Sequence, residues 1–208
     1  LQMGKSIKVY IDDMVVKSKL VSGHVRDLGD IFKVLRRHRL RLNVSKCSFG
    51  VGSRKFLGYM VIHRGIEVNP DQIRTIHSMQ PPRNPKEDRK LTGMIAALNH
   101  FISRSADRCR LFFLLLNKWK GFEWTEKCAL AFQQLKEYLS LPPIMSSPKA
   151  DEVLFVYIVT TPHAVSLVLI QVDNGIQRPI YYVSKLLHKA EIRYLPLEKA
   201  ILAIVQAT

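Results

Sequence analysis

Two adjacent aspartates, Asp12 and Asp13, stand between short apolar runs, Ile7, Val9 and Ile11 before them and Met14, Val15 and Val16 after. Side by side at a chain reversal, two like charges repel, and neither carboxylate is placed to cap a helix. The pair makes chemical sense when divalent cations neutralise it. Mg²⁺ takes hard oxygen ligands and usually shares them with substrate phosphates, and Mn²⁺ accepts the same donors. In a two-metal phosphoryl-transfer site one ion activates the attacking hydroxyl and the other supports the leaving pyrophosphate. A plain Asx turn is the other reading of the bare pair.

The surrounding pattern supplies the elements that must position these acids. Alternation over residues 5–18 predicts a strand, a tight turn and a second strand with the acids at the turn. Over 24–38 the period changes to that of a helix, with Leu28, Ile31, Phe32 and Leu35 on one face and Arg26, Lys33, Arg36 and Arg37 around it. A basic loop over 39–43 leads to two expected short strands, near 47–51 and 55–62. Asn69-Pro70 and Asn84-Pro85 each read as an N-cap followed by Pro at the first helical position. Further helices are expected over about 107–118 and from Thr125 through Leu139, then a linker marked by Pro142, Pro143 and Pro148. Strands follow on either side of a break at 160–163, with a hairpin turn at Asp173-Asn174-Gly175, a third strand over 180–183 and a helix from Pro196.

Composition narrows the class. The 208 residues carry a net charge of +15, unevenly spread. Residues 1–66 hold 14 Lys/Arg against 4 Asp/Glu, residues 67–150 hold 13 against 8, and residues 151–208 hold 5 against 5. A basic first two thirds favours a polyanionic partner through counterion release, although a solvated basic surface is the competing account. No apolar run is long enough to span a membrane, so no membrane partner is expected. Cys47, Cys109 and Cys128 fit neither a zinc framework nor a disulfide scaffold and are read as free thiols. His163 and His188 are read as loop histidines. A start at Leu1 and an apolar helical run up to Thr208 are what an internal fragment would show.

Tyr10-Ile11-Asp12-Asp13 resembles the catalytic hairpin of reverse transcriptases, and the likeness continues in order along the chain. Residues 40–49 resemble the next palm motif, Phe56-Leu57-Gly58-Tyr59 the primer-grip hairpin, and residues 65–71 the entry to the thumb. Residues 91–102 and 122–132 resemble the segments that follow in gypsy-type LTR retrotransposon Pol polyproteins of plants. The resemblance implies an α+β fold: the C-terminal part of a polymerase palm over 1–68, a helical thumb and connection over 69–148, and a truncated RNase H-like α/β domain over 149–208. Asp12 and Asp13 would be catalytic and would hold Mg²⁺ or Mn²⁺, with Asp12 the more direct ligand. Tyr10 would sit beside the template–primer end, and Phe56, Leu57, Gly58 and Tyr59 would hold the primer strand. For those four residues a hydrophobic hairpin under the palm is an equal reading. Lys46 would act as general acid toward pyrophosphate or as a phosphate-steering cation. Arg74, Arg83, Lys86, Arg89, Lys90, Arg104, Arg108 and Arg110 would track a duplex backbone or form a solvated face, while Phe112, Phe113, Phe122, Trp124 and Phe132 are expected in the core.

The implied activity is RNA-directed DNA polymerisation. Its partners would be an RNA template, an RNA–DNA or DNA duplex, dNTP and the rest of the Pol polyprotein, in a cytoplasmic virus-like particle or in the nucleus. The family places another catalytic aspartate and the fingers upstream of the acid hairpin, so the 208 residues alone are expected not to polymerise. Alignment puts the first two RNase H acids at Val159 and Ala200, which are not acids. Glu198 stands two residues from Ala200, about 200° away on a helix, and cannot readily substitute. The last segment is therefore expected to be a degenerate RNase H fold. A non-catalytic nucleic-acid-binding or scaffolding protein derived from such an element is the alternative.

Overall fold

The chain is described as a computed structural model covering residues 7–10, 13–18, 20–51, 54–56, 58–62, 64–116, 121–148 and 151–207. It forms two compact units, Leu1–Gly58 and Tyr59–Thr208, and the division falls inside the stretch read from sequence as palm.

In the first unit, β1 (Ile7–Tyr10) and β2 (Asp13–Val16) pair antiparallel, from Ile7 opposite Val16 to Tyr10 opposite Asp13. Helix α1 (Val21–Arg37) begins earlier than the apolar period suggests. Ser18, just before it, donates its hydroxyl to Asp27 at 2.6 Å and bonds the His24 ring at 2.9 Å, which ties the entry to the first turns. Leu35 is the buried anchor of the apolar face. A 3-10 turn follows at Val44–Lys46, where the Asn43 side-chain oxygen accepts from the Ser45 backbone N–H and hydroxyl. The strand expected over 47–51 does not form. The Asx cap turns the chain at Asn43, Gly50 adopts a left-handed φ of 64°, and the segment between them is irregular. Phe49 packs edge-on to Phe32 of α1, with ring centroids 6.3 Å apart. Strand β3 is Arg54–Phe56.

The second unit is organised around β4 (Tyr59–Ile62), β5 (Gly65–Val68) and a succession of helices. Helix α2 (Pro70–Ser78) starts as the sequence requires, the Asn69 side chain accepting from Asp71 N–H. Helix α3 (Pro85–Leu98) does the same with Asn84 and Glu87, and the Glu87 carboxylate reaches back to Arg83 N–H at 2.8 Å. The single helix expected over 107–118 is two, α4 (Ser105–Arg108) and α5 (Arg110–Leu116), parted at Cys109. Helix α4 starts after Arg104, which is left-handed at φ 54°. Helix α6 (Glu126–Ser140) follows Thr125, whose hydroxyl goes to the Cys128 thiol instead of capping the helix. From α6, Lys136 donates to the carbonyls of His77 and Met79 at 3.0 and 2.8 Å, closing the exposed end of α2.

The expected linker after α6 contains a strand, β6 (Met145–Ser146), which pairs with β5. Met145 is buried, and its carbonyl passes so close to Gly65 (φ 146°) that a Cβ there would lie 1.9 Å away. One apolar core runs through Val68, Ile76, Leu91, Ile95, Leu98, Phe101, Phe112, Phe132, Leu139 and Met145. The aromatics read as core residues belong to it, Phe112 stacking on Trp124 with centroids 5.5 Å apart. Beyond it, β7 (Leu154–Thr160), β8 (Ala164–Asp173) and β9 (Ile176–Leu186) form an antiparallel sheet in the order 7-8-9. The β8–β9 turn has Asn174 and Gly175 both at positive φ, as a two-residue hairpin of this type demands. Strand β9 is longer than the expected 180–183 and absorbs Pro179 through a bulge opposite Leu169/Ile170. Helix α7 (Pro196–Val205) covers one sheet face through Ala203 and Leu202, against Val165, Ile158 and Leu187. Cys109 and Cys128 are buried free thiols, and Cys47 is half-buried.

Gly65→Ala should destabilise the protein by about 3 kcal/mol, because the new methyl meets a backbone carbonyl and the φ is one that L-residues avoid. Urea unfolding checks this, through a fall in midpoint at unchanged slope. A second prediction concerns Asp88 of α3, which is fully buried with both carboxylate oxygens unpartnered among the described residues. Burial pushes its pKa up to about 6. A carboxyl whose pKa is raised by folding is neutral at low pH at no cost, and its stability is lost as pH rises through the folded value. Stability should therefore fall between about pH 4 and pH 6 on account of this group. Asp88→Asn should flatten that part of the profile and gain about 2 kcal/mol at pH 7.

Candidate active site

Strands β1 and β2 pair as far as Tyr10 opposite Asp13. Asp13 opens β2 and Tyr10 closes β1. Asp12 itself lies outside the described residues. The two consecutive carboxylates of the sequence are a donor set of hard oxygens suited to Mg²⁺ or Mn²⁺. The next acids along the chain are otherwise engaged: Asp27 accepts from Ser18, and Asp30 pairs with Lys33 at 2.9 Å.

The remaining residues named from sequence fall in three places. Lys46 closes the 3-10 turn held by Asn43 and is exposed. Phe56 ends β3, Leu57 lies outside the described residues, and Gly58 turns the chain at φ 83°. Tyr59 starts β4, and its ring packs against Phe101 with centroids 5.2 Å apart, within the core of the second unit. Its ring therefore serves packing, and a role in holding a primer would fall to the turn before it.

Among the cations expected to follow a duplex, some have structural work. Arg74 pairs with Asp71 and Arg104 with Asp107, while Arg108 donates to the Ser103 carbonyl and lies over the Tyr138 ring. Arg83, Lys86, Arg89 and Lys90 are exposed around the start of α3. In the last segment, Val159 of β7 stands opposite Ser166 of β8, and Ala200 lies on α7, the helix that packs on this sheet. Glu198 is exposed and accepts from Leu195 N–H at 2.8 Å, so its carboxylate caps α7. The sequence showed Arg36 and Arg37 on the helix and a basic loop over 39–43 but gave these arginines no site role, and in the structure they stand exposed at the end of α1.

Residues 1–61 match the family of reverse transcriptase (RNA-dependent DNA polymerase), and residues 124–208 match the RNase H-like domain found in reverse transcriptase. The second match starts within the stretch read from sequence as thumb and connection. A retrovirus-related Pol polyprotein from transposon opus of Drosophila melanogaster is 30% identical over 98% of this chain. A transposon Tf2-3 polyprotein of Schizosaccharomyces pombe is 28% identical over 95%. The chain spans 21% and 15% of these relatives, respectively. In fold, it resembles a foamy viral protease-reverse transcriptase solved with an RNA/DNA hybrid (TM-score 0.84, 21% identity, covering 97% of this chain and 27% of that one). It also resembles the same kind of protein solved with double-stranded DNA (TM-score 0.81, 22% identity, 97% and 42%). Matches to a polymerase at one end and an RNase H-like domain at the other do not favour the non-catalytic alternative. The chain belongs to the reverse transcriptase and RNase H-like region of retrotransposon Pol polyproteins.

Proposed function

We propose that these 208 residues are the part of an RNA-directed DNA polymerase that carries the second half of its catalytic acid set and the support for the template–primer. The observation that carries this is the antiparallel β1–β2 pair, which ends with Tyr10 opposite Asp13, the two ends of the Tyr10-Ile11-Asp12-Asp13 stretch in the sequence. Asp12 and Asp13 would hold Mg²⁺ or Mn²⁺. Once bound, the ions would lower the pKa of the primer 3′-hydroxyl and neutralise the leaving pyrophosphate. Tyr10 would border the primer end. Lys46 would deliver a proton to the pyrophosphate or steer it by charge. The Phe56–Gly58 turn would seat the primer strand by its backbone, Gly58 permitting close approach. An RNA–DNA hybrid is the duplex this reading requires, with phosphates met by the exposed cations at the start of α3.

Bridging two ions needs a third carboxylate, which we place in the longer protein, outside these residues. The 208-residue chain alone should incorporate no nucleotide above the background of its Asp12→Asn variant. Joined to a palm and fingers segment of its own polyprotein, it should extend a primer on an RNA template. Asp12→Asn or Asp13→Asn should lower that rate by about 10³-fold or more, the scale of removing a group that stabilises transition-state charge. Full activity in both variants would sink the reading.

The RNase H-like segment would act as a support in this scheme. With valine and alanine at positions 159 and 200 and Glu198 bound to the helix start, it offers no acid pair for cleavage. The RNA strand of a labelled hybrid should stay intact when incubated with the chain and Mg²⁺. Cleavage that Glu198→Gln abolishes would contradict this.

A further inference from the structure

Helix α1 ends in a double hydrogen-bonded stop: Leu40 N–H donates to the Leu35 carbonyl at 2.9 Å and Arg39 N–H to the Arg36 carbonyl at 3.1 Å. This geometry puts residue 39 in the left-handed region, at φ 54°. Glycine is the residue that fits there without strain, yet the chain has arginine. Arg36 and Arg37 lie in the last helical turn, and Arg41 follows two residues after Arg39. All four are exposed, and none is ion-paired with a described residue. Between Asp30 and Glu67 the sequence has nine Lys/Arg and no acid, so nothing nearby in the chain neutralises them. Two of these cations do suit the negative end of the helix dipole. That does not account for Arg39, where charge is kept at a conformational cost, or for Arg41 beyond the helix.

We infer that Arg36, Arg37, Arg39 and Arg41 form a contact for the phosphate backbone of an RNA or DNA strand, separate in the chain from the acid hairpin and from the cations of α3. Guanidinium groups bind phosphate in fork geometry and stay charged in any surroundings. Arg39 and Arg41, two residues apart, can reach successive phosphates, while Arg36 and Arg37 extend the contact along the helix end. Leu40, between Arg39 and Arg41, and Leu42, just after them, are exposed and offer no aromatic face for base stacking, so the contact reads backbone and not sequence. The inference rests on the polymerase reading above and names a further part of its nucleic-acid surface.

Binding of the 208-residue chain to a fluorescent RNA–DNA hybrid with a single-stranded RNA overhang, followed against salt, tests it. The slope of log K on log salt counts neutralised phosphates. Replacing all four arginines by glutamine should reduce its magnitude by about three and weaken binding at low salt by about tenfold or more. Arg39→Gly and Arg41→Gln should each reduce it by about one, and they guard against misfolding of the fourfold variant. Arg39→Gly should also melt at a higher temperature, since glycine relieves the left-handed strain, so charge and fold respond in opposite directions. Unchanged slopes in folded variants, with the parent chain still binding, overturn this inference alone. A parent chain that binds no hybrid at low salt overturns both it and the polymerase reading. Binding to phosphatidylserine vesicles in place of hybrid overturns it in favour of a lipid surface.

Discussion

Much of the second unit depends on one close backbone contact, the passage of the Met145 carbonyl over Gly65. Strand β6 has two residues and, among the described residues, pairs only with β5, yet it follows five helices that begin just after β5. Two residues of pairing cannot by themselves offset the entropy of closing so long a segment. The closure is supported by Met145, buried in the same core as Val68, Ile76 and Leu139. Backbone proximity and side-chain burial therefore require each other. Any side chain at position 65 would lift β6 away and pull Met145 out of the core.

The same core decides what the hairpin around Gly58 can do. Tyr59 is committed to Phe101, and Tyr138 from α6 joins the 99–103 segment by accepting from Ser103 N–H and donating to the Phe101 carbonyl. An aromatic ring held this way fixes the start of β4. What it fixes is the first residue of β4, next in the chain after Gly58, whose φ of 83° suits glycine.

The parts of this fold that were legible in the sequence were those governed by local rules. Asn69-Pro70 and Asn84-Pro85 start helices because an Asx oxygen and a proline each solve the problem of unpaired N–H groups. Asn174-Gly175 makes a hairpin because two consecutive positive φ angles suit those residues. The parts missed were set by distant partners. Strand β6 looks like proline-rich linker because its pairing partner lies far back at Gly65. The interruption at Cys109 looks like continuous helix because the apolar run hides it, whereas Ser105 and Ala106 are turned toward β9. In the candidate site, Asp12 and Asp13 are singled out only by the order of motifs after them. The packing of Tyr59 was not legible, since an aromatic residue on a short strand fits a core and a binding surface equally well.

The last segment shows how a few polar contacts fix a sheet against its neighbouring helices. Its sheet is joined to helix α4 by polar contacts: Ala106 N–H donates to the Ser184 hydroxyl at 3.0 Å, Ser184 bonds Ser166 at 2.7 Å, and Thr161 donates to Asp107 at 2.9 Å. Ser166, opposite Val159, is itself buried. A buried hydroxyl is costly unless satisfied, so these contacts specify one docking of the sheet on α4. The place where an acid would stand on β7 is thus backed by a strand engaged in holding the helices. On α7, the acid that does exist secures the helix start. Polar residues in this segment are placed to fix it against its neighbour.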